Sequence, residues 1–191
     1  MIKNIILDVG GIIFDDSQKN IEKLLNKNCD YIYKKAYGSG FKECLLGKKT
    51  VQEHIDTLIN LEDFESMNYI LKKENLVKSY PLMKENYKYI QILKQEGYKL
   101  YLLTNITEDS YNYINDLINI NTAFDGGIYS YQVHLIKPDP DIYKLLINKY
   151  NLNKSESIFF DDKEKNIIAA NNVGIKAFVF NSINDIKNNL K

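Results

Sequence analysis

The sequence lacks arginine and tryptophan and contains little cysteine, histidine or proline. All 25 basic residues are lysine, so no site can use a guanidinium group to grip a carboxylate or phosphate with two parallel hydrogen bonds. Cys29 and Cys44 match neither a disulfide framework nor a zinc motif, which favours free thiols in a reducing cytoplasm. His54 and His134 have no second ligand at metal spacing, which argues against a zinc site.

The chain also lacks an excess of charge and a long apolar run. The 25 basic and 25 acidic residues cancel, so no general field attracts nucleic acid or an anionic membrane. No apolar stretch reaches the ~18 residues of a membrane span. We therefore expect a soluble cytoplasmic protein, monomeric or homodimeric, with neither nucleic acid nor a membrane as its partner.

Short apolar runs alternate with amphipathic stretches in two parts of the chain, 1–15 and 80–191. Each run has three to five residues bounded by polar ones, as is typical of buried parallel strands. Strand patterns and helix patterns thus alternate along the chain. This alternation predicts an α/β fold with a doubly wound parallel sheet and a Rossmann-like core. The predicted strands are Asn4–Leu7, Lys99–Leu103, Gly127–Tyr129, Ser157–Phe160 and Lys176–Phe180.

The segment 16–79 has a different hydrophobic pattern. Its apolar residues recur at helical spacing and form no strand-like run. It predicts an all-α cap domain inserted after the first strand of a core domain made of 1–15 and 80–191. Such an insertion lies beside the carboxyl ends of the strands, where ligands bind in open α/β sheets.

Polar residues follow the predicted strands or the loops between them: Asp8, Thr104-Asn105, Lys137 and Asp161-Asp162. Each has an ordinary structural interpretation, as a turn former, helix cap or solvated side chain. Together they would bring three carboxylates and one lysine to one edge of the sheet. One Mg²⁺ would cancel the remaining charge of about −2, since carboxylates are usual magnesium ligands.

Four motifs in this order resemble those of the haloacid dehalogenase-like hydrolase superfamily, in its phosphatase branch with an α-helical cap. They are Ile6-Leu7-Asp8-Val9-Gly10-Gly11, Leu102-Leu103-Thr104-Asn105, the segment 130–143 with Lys137-Pro138-Asp139-Pro140 inside it, and Phe160-Asp161-Asp162 followed by Asn166, Ala169-Ala170 and Gly174-Ile175. The resemblance implies a Mg²⁺-dependent phosphatase that acts on a small phosphorylated metabolite, with a sugar phosphate as one candidate.

The resemblance also implies catalytic roles. Asp8 resembles the nucleophile that forms an aspartyl-phosphate. Thr104, assisted by the Asn105 amide, resembles the group that holds the phosphoryl group, and Lys137 the residue that neutralises the charge of nucleophile and phosphate.

A metal site is implied in the same way. Asp8, Asp162 and the backbone carbonyl of Gly10 resemble the ligands of Mg²⁺, and Asp161 would join or support them.

Gly10 departs from the family pattern, in which an aspartate at this place protonates the leaving group. Such a group contributes typically ~10²–10⁴-fold to the rate. Without it, anomeric and aryl phosphates should be favoured over primary alkyl phosphates. Asp15 or Asp16 would supply the proton if the chain doubled back, although capping of the first cap helix is the more ordinary expectation for both. Gly10 is also a candidate for a positive φ.

Other functions remain as alternatives. Because Gly10 replaces the acid, the chain could be a catalytically impaired protein that binds a phosphorylated ligand or a partner. The presence of all the other motif residues argues against this alternative, since a pseudoenzyme need not keep them. A true haloacid dehalogenase is disfavoured. Those enzymes resemble one another in placing an arginine near the leaving halide, and this chain has no arginine. A response-regulator receiver domain is rejected. Its acidic pair belongs to the first strand, whereas Asp161-Asp162 of this chain follows the fourth predicted strand.

Overall fold

A computed structural model describes residues 1–190. Five strands form one fully parallel sheet in the order β3-β2-β1-β4-β5. The predicted α/β fold with a doubly wound parallel sheet is therefore confirmed. The strands are β1 Asn4–Leu7, β2 Lys99–Thr104, β3 Gly126–Tyr129, β4 Ser157–Asp161 and β5 Lys176–Val179.

The central strands are buried on both faces, which explains their continuous apolar composition. In β1, Ile5 and Leu7 belong to one core cluster and Ile6 to the other, because successive side chains point to opposite faces. All five residues of β4 are buried as well. The two clusters lie on opposite faces of the sheet and hold it between helices.

Helices occupy most of the segment between β1 and residue 80, and they share a hydrophobic core cluster of their own. They are α1 Gln18–Leu25, α2 Asp30–Ala36, α3 Lys42–Leu45, α4 Val51–Asp56, α5 Phe64–Leu71 and α6 Leu76–Ser79. The C-terminal end of α3 contacts residues that follow β3. The Ser130 hydroxyl donates to the Leu45 carbonyl at 2.6 Å, and His134 Nδ1 lies 2.7 Å from the Leu46 carbonyl.

Within residues 1–190, seven more helices cover the sheet, and the side chains of Thr107 and Asp139 cap the N-termini of two of them. The Thr107 hydroxyl accepts from the Ser110 N–H at the first turn of its helix. These helices are α7 Lys84–Gln95, α8 Glu108–Ile118, α9 Ile120–Ala123, α10 Ser130–Val133, α11 Pro140–Lys149, α12 Glu164–Asn172 and α13 Ile183–Asn189. Within residues 1–190, none is both long and apolar enough to cross a bilayer.

The expected capping of α1 by Asp15 and Asp16 is wrong. Ser17 is the N-cap residue, and its hydroxyl accepts from the Asn20 N–H. Asp15 accepts a hydrogen bond from the Ser17 N–H at 2.9 Å, outside the helix. The Asp16 side chain is therefore free for another role.

Candidate active site

The carboxyl ends of the three central strands meet at one edge of the sheet. Leu7 in β1 pairs with Leu102 in β2 and with Phe160 in β4. This register places Asp8, the residue after β1, level with Asp161 at the end of β4. Thr104 ends β2 at the same edge and is only 2% exposed. Thr104 and Asp161 are thus the last residues of their strands, whereas the predicted strands stopped one residue earlier.

Lys137 lies between two of the predicted carboxylates. Its ammonium group is 2.9 Å from Asp8 Oδ1 and 2.6 Å from Asp161 Oδ2. The side chains of Lys137 and Asp161 are 1% and 0% exposed, so solvent barely screens these ion pairs. One ammonium therefore joins two carboxylates in the interior, and the group as a whole keeps a negative charge.

Asp161 is held from several directions. Lys163 donates its N–H to Asp161 Oδ1 at 2.8 Å, and the Asn166 amide lies 2.9 Å from both carboxylate oxygens. Burial acts to raise the pKa of Asp161, but the Lys137 ammonium and these hydrogen bonds lower it below its usual value. Asn166 belongs to the fourth motif but has no role in the sequence analysis; its place four residues after Asp162 hints at a contact with the acidic pair but does not identify Asp161 as the partner.

Asp8 has fewer donors. Its Oδ1 accepts from the Lys137 ammonium and from the Val9 N–H at 2.7 Å. Burial raises the pKa of Asp8 above its usual value, although Lys137 opposes that shift. A further cation beside Asp8 would favour its ionised form.

Asn105 positions Lys137. The Lys137 N–H donates to Asn105 Oδ1 at 2.8 Å, and Asn105 Nδ2 donates to the Lys137 carbonyl at 3.0 Å. Both polar atoms of this side chain thus contact the Lys137 main chain, a role that sequence reasoning missed. Its proposed assistance to Thr104 in holding a phosphoryl group stays a prediction.

Asp162 completes a group of three carboxylates. Asp8, Asp161 and Asp162 each offer an oxygen, and these atoms lie within 4.8 Å of one another. Asp162 Oδ1 is buried and has no hydrogen-bond partner within residues 1–190; the nearest cation, Lys163 Nζ, is 3.7 Å away. An unpaired buried carboxylate oxygen is costly, and a divalent cation would satisfy it. These residues therefore fit a hard metal ion, and the Gly10 carbonyl as a further ligand stays a prediction.

The Gly10-Gly11 pair lies between this group and the first cap helix. The positive φ belongs to Gly11, at 72°, and not to Gly10. A Cβ atom on Gly11 would come within 2.9 Å of Asp162 Cγ, so the glycine allows that carboxylate to approach the turn.

Asp16 occupies the room beside Gly10. A Cβ atom built on Gly10 would clash with Asp16 Oδ2 and lie 2.9 Å from Asp16 Cγ. The chain after β1 thus turns back and places a carboxyl group where a side chain of residue 10 would lie.

The surroundings of Asp16 set its charge. The Tyr33 hydroxyl donates to the Asp16 carbonyl at 3.1 Å, and Lys163 Nζ lies 3.8 Å from Asp16 Oδ2. Burial raises the pKa of Asp16, with Asp162 acting in the same direction and Lys163 against it. Lys163 therefore links Asp16 with Asp162, and its place directly after the acidic pair was the available sequence signal.

Comparison with known proteins gives one family for nearly the whole chain. The family model described as haloacid dehalogenase-like hydrolase matches residues 2–174. A stretch of 83 residues, 44% of this chain, is 32% identical to a sesquiterpene phosphatase of Aspergillus oryzae, of which the chain spans only 42%. Over 93% of the chain, it is 29% identical to a D-ribitol-5-phosphate phosphatase of Bacteroides thetaiotaomicron and spans 91% of that protein.

The fold has close counterparts among solved structures. One is a haloacid dehalogenase family enzyme from Bacteroides thetaiotaomicron, crystallised with magnesium and inorganic phosphate. It superposes with a TM-score of 0.71 at 18% identity and 94% coverage of both chains. At that identity the likeness shows the shared fold.

Replacing Lys137 by methionine tests the charge balance of the site. With metal removed by chelation at pH 7, the variant should lose about 3–5 kcal/mol of unfolding free energy, because two buried carboxylates lose their shared partner. Burial and mutual repulsion then raise the carboxyl pKa values in the folded state above their unfolded values. The folded variant binds protons more tightly, so its stability deficit should shrink as the pH falls from 7 to 5.

Urea unfolding of both proteins at the two pH values measures this effect. Lys144→Met is the matched control, because the Lys144–Asp141 pair has side chains 56% and 64% exposed and such pairs contribute little. A Lys137→Met protein as stable as the control, or a deficit that does not change with pH, would contradict the proposed balance.

Proposed function

The chain belongs to the haloacid dehalogenase-like hydrolase family, and from this premise we propose that it is a Mg²⁺-dependent phosphatase of a small phosphorylated molecule. Its predicted place among the phosphoric monoester hydrolases is confirmed by the family model and the phosphatase relatives. The observation that carries the proposed mechanism is the group formed by the buried Asp8, Lys137 and Asp161 with the half-buried Asp162. Because the chain belongs to this family, we propose that these residues have the roles that the family motifs imply.

In the proposed reaction Asp8 is the nucleophile. Its carboxylate forms a bond to phosphorus while the bond from phosphorus to the leaving oxygen breaks, which gives an aspartyl-phosphate. Lys137 and the Val9 N–H hold one Asp8 oxygen and orient the carboxylate for attack. Lys137, fixed by Asn105, also places a positive charge beside the transferring group, and Thr104 holds its oxygens.

We assign Mg²⁺ to Asp8, Asp162 and the Gly10 carbonyl, with Asp161 in support. When bound, the ion would supply positive charge to the phosphate oxygens, as it does in other phosphoryl-transfer sites. Magnesium in the solved structure of similar fold and the fit of the acidic group support this assignment.

Asp16 is the proposed proton donor. Its carboxyl lies in the space beside Gly10 from which a residue-10 side chain would reach the leaving group. It would protonate the leaving alkoxide and then take a proton from the water that hydrolyses the aspartyl-phosphate, so no proton is gained or lost over the cycle. This placement weakens the alternative of a catalytically impaired protein, which depended on a missing acid.

Four further expectations stay proposals. The substrate is a small phosphorylated molecule, as the activity of the relatives supports. We retain a cytoplasmic location and a monomeric or homodimeric state from the sequence. We also retain the division into a core domain, 1–15 and 80–191, and a cap domain, 16–79.

Removal of Asp162 tests the metal assignment. Millimolar Mg²⁺ should raise the melting temperature of the native protein, because a ligand that binds only the folded state stabilises it. Asp162→Ala should abolish that rise and the Mg²⁺-dependent release of phosphate from phenyl phosphate. Asp141→Ala, which changes a carboxylate with a 64% exposed side chain, should retain both. An equal Mg²⁺ shift in wild type and Asp162→Ala would place the metal elsewhere.

A leaving-group comparison tests Asp16. Asp16→Asn should lower kcat/KM for a primary alkyl phosphate by ~10²–10⁴-fold but affect p-nitrophenyl phosphate much less, because a stable phenolate needs little protonation. Asp15→Asn changes the neighbouring carboxylate and should show no such difference between substrates. Gly10→Asp alone should lose activity through its clash with Asp16, and Gly10→Asp with Asp16→Ala should recover part of it. Equal losses on both substrates in Asp16→Asn would rule out proton donation by Asp16.

A further inference from the structure

The cavity between the helical segment and the sheet edge has a pronounced chemical asymmetry. Its volume is 410 Å³, within the range of small-molecule sites. Asp8 and Lys137 are among its lining residues, so a phosphate group held by them leaves the rest of the cavity for the alcohol part of an ester.

The helical segment contributes a mainly apolar wall. Five of its six helices supply one or more aliphatic side chains, which are Ile21, Leu45, Val51, Ile70, Leu71 and Leu76. Aromatic rings add Tyr33, Tyr37 and Phe41, with Tyr80 just beyond. Several of these side chains, Val51 and Ile70 among them, are less than a tenth exposed, so the wall is not simply open surface.

Most hydroxyl groups of this wall already have partners within the protein. Tyr33 donates to the Asp16 carbonyl at 3.1 Å, and Tyr37 to the Ile70 carbonyl at 3.5 Å. Ser79 donates to the Asn75 carbonyl at 3.3 Å. Within residues 1–190, Tyr80 is the lining tyrosine whose hydroxyl makes no hydrogen bond.

The remaining polar groups lie mostly on the sheet side. Thr107 and Ser110 bond to each other at 3.1 Å at the start of α8, where Asp109 complements the helix dipole. Lys163 and Lys165 carry positive charge, which suits the phosphate end. A polyol would therefore bury several hydroxyl groups against aliphatic carbon, and each unpaired one costs binding energy.

We propose that the substrate is a phosphate monoester of an apolar alcohol, with an aliphatic chain or aromatic ring in the cavity and not a sugar. This inference rests on the proposed phosphatase activity and narrows its substrate class. Apolar contact drives recognition of the leaving group, while Lys137 and the metal site hold the phosphate. It differs from the sugar phosphate that the sequence offers as one candidate.

A matched series of primary esters tests the inference. Ethyl, butyl, pentyl, hexyl and octyl phosphates have nearly the same leaving-group chemistry and differ in apolar length. Wild-type kcat/KM should rise up to about fourfold per added methylene until the cavity is full. Pentyl phosphate should exceed D-ribitol 5-phosphate, its five-carbon counterpart with four added hydroxyls, by at least ~10-fold.

A substitution in the cavity wall tests whether the preference for apolar esters arises in the cavity. Val51→Thr adds a hydroxyl to the buried wall and should lower kcat/KM for hexyl phosphate several-fold while changing D-ribitol 5-phosphate little. Val77→Thr is the control, because Val77 is 58% exposed on α6 and does not line the cavity. A wild type that hydrolyses D-ribitol 5-phosphate as well as pentyl phosphate, or equal effects of the two variants, would overturn the inference.

Binding without turnover separates this inference from the proposed function. Alkylphosphonates carry a carbon–phosphorus bond in place of the ester, so their Kd in the presence of Mg²⁺ can be measured by calorimetry. Tighter binding from ethyl- to hexylphosphonate would support the apolar site even if no ester were hydrolysed, an outcome that would refute only the phosphatase. Equal Kd values along the series would refute the apolar site and leave the phosphatase intact.

Discussion

The candidate active site depends on an imbalance of buried charge. Three carboxylates meet at the edge of the sheet, and one ammonium group lies between two of them. The fold maintains this unfavourable arrangement because β1 and β4 run side by side in fixed register and Asn105 holds the Lys137 main chain. The uncompensated charge is what makes the site suitable for a divalent cation and for the phosphate oxygens beside it.

The same physical situation explains how the proposed chemistry is divided among residues. Asp161 has enough donors to remain ionised, and it anchors Lys137 more than it reacts. Asp8 has fewer donors and lines the cavity, which suits a nucleophile. Asp16 approaches from the other side of Gly10, so its position depends on the chain turning back after β1. The helices that follow this turn provide the apolar wall for the leaving group.

Much of this arrangement was predictable because parallel strands bring their carboxyl ends to one edge. Asp8, Thr104 and Asp161 each follow or end an apolar run, and the sheet order then makes them neighbours. Contacts that depend on side-chain direction were not predictable. Asn105 and Asn166 look like ordinary loop and helix residues until the structure shows their bonds to Lys137 and Asp161. For Asp16 the sequence favours a capping role, because capping is local, whereas the return of the chain to Gly10 is a tertiary feature.

Trapping the covalent intermediate tests the central claim most directly. Wild-type protein mixed with Mg²⁺ and p-nitrophenyl phosphate should be quenched in acid within one turnover, digested and examined by mass spectrometry. The mechanism predicts one added phosphoryl group on the peptide that contains Asp8, and none on that peptide in the nearly isosteric Asp8→Asn variant. Release of phosphate by the wild type with no phosphoryl group on that peptide at any quench time would contradict Asp8 as the nucleophile.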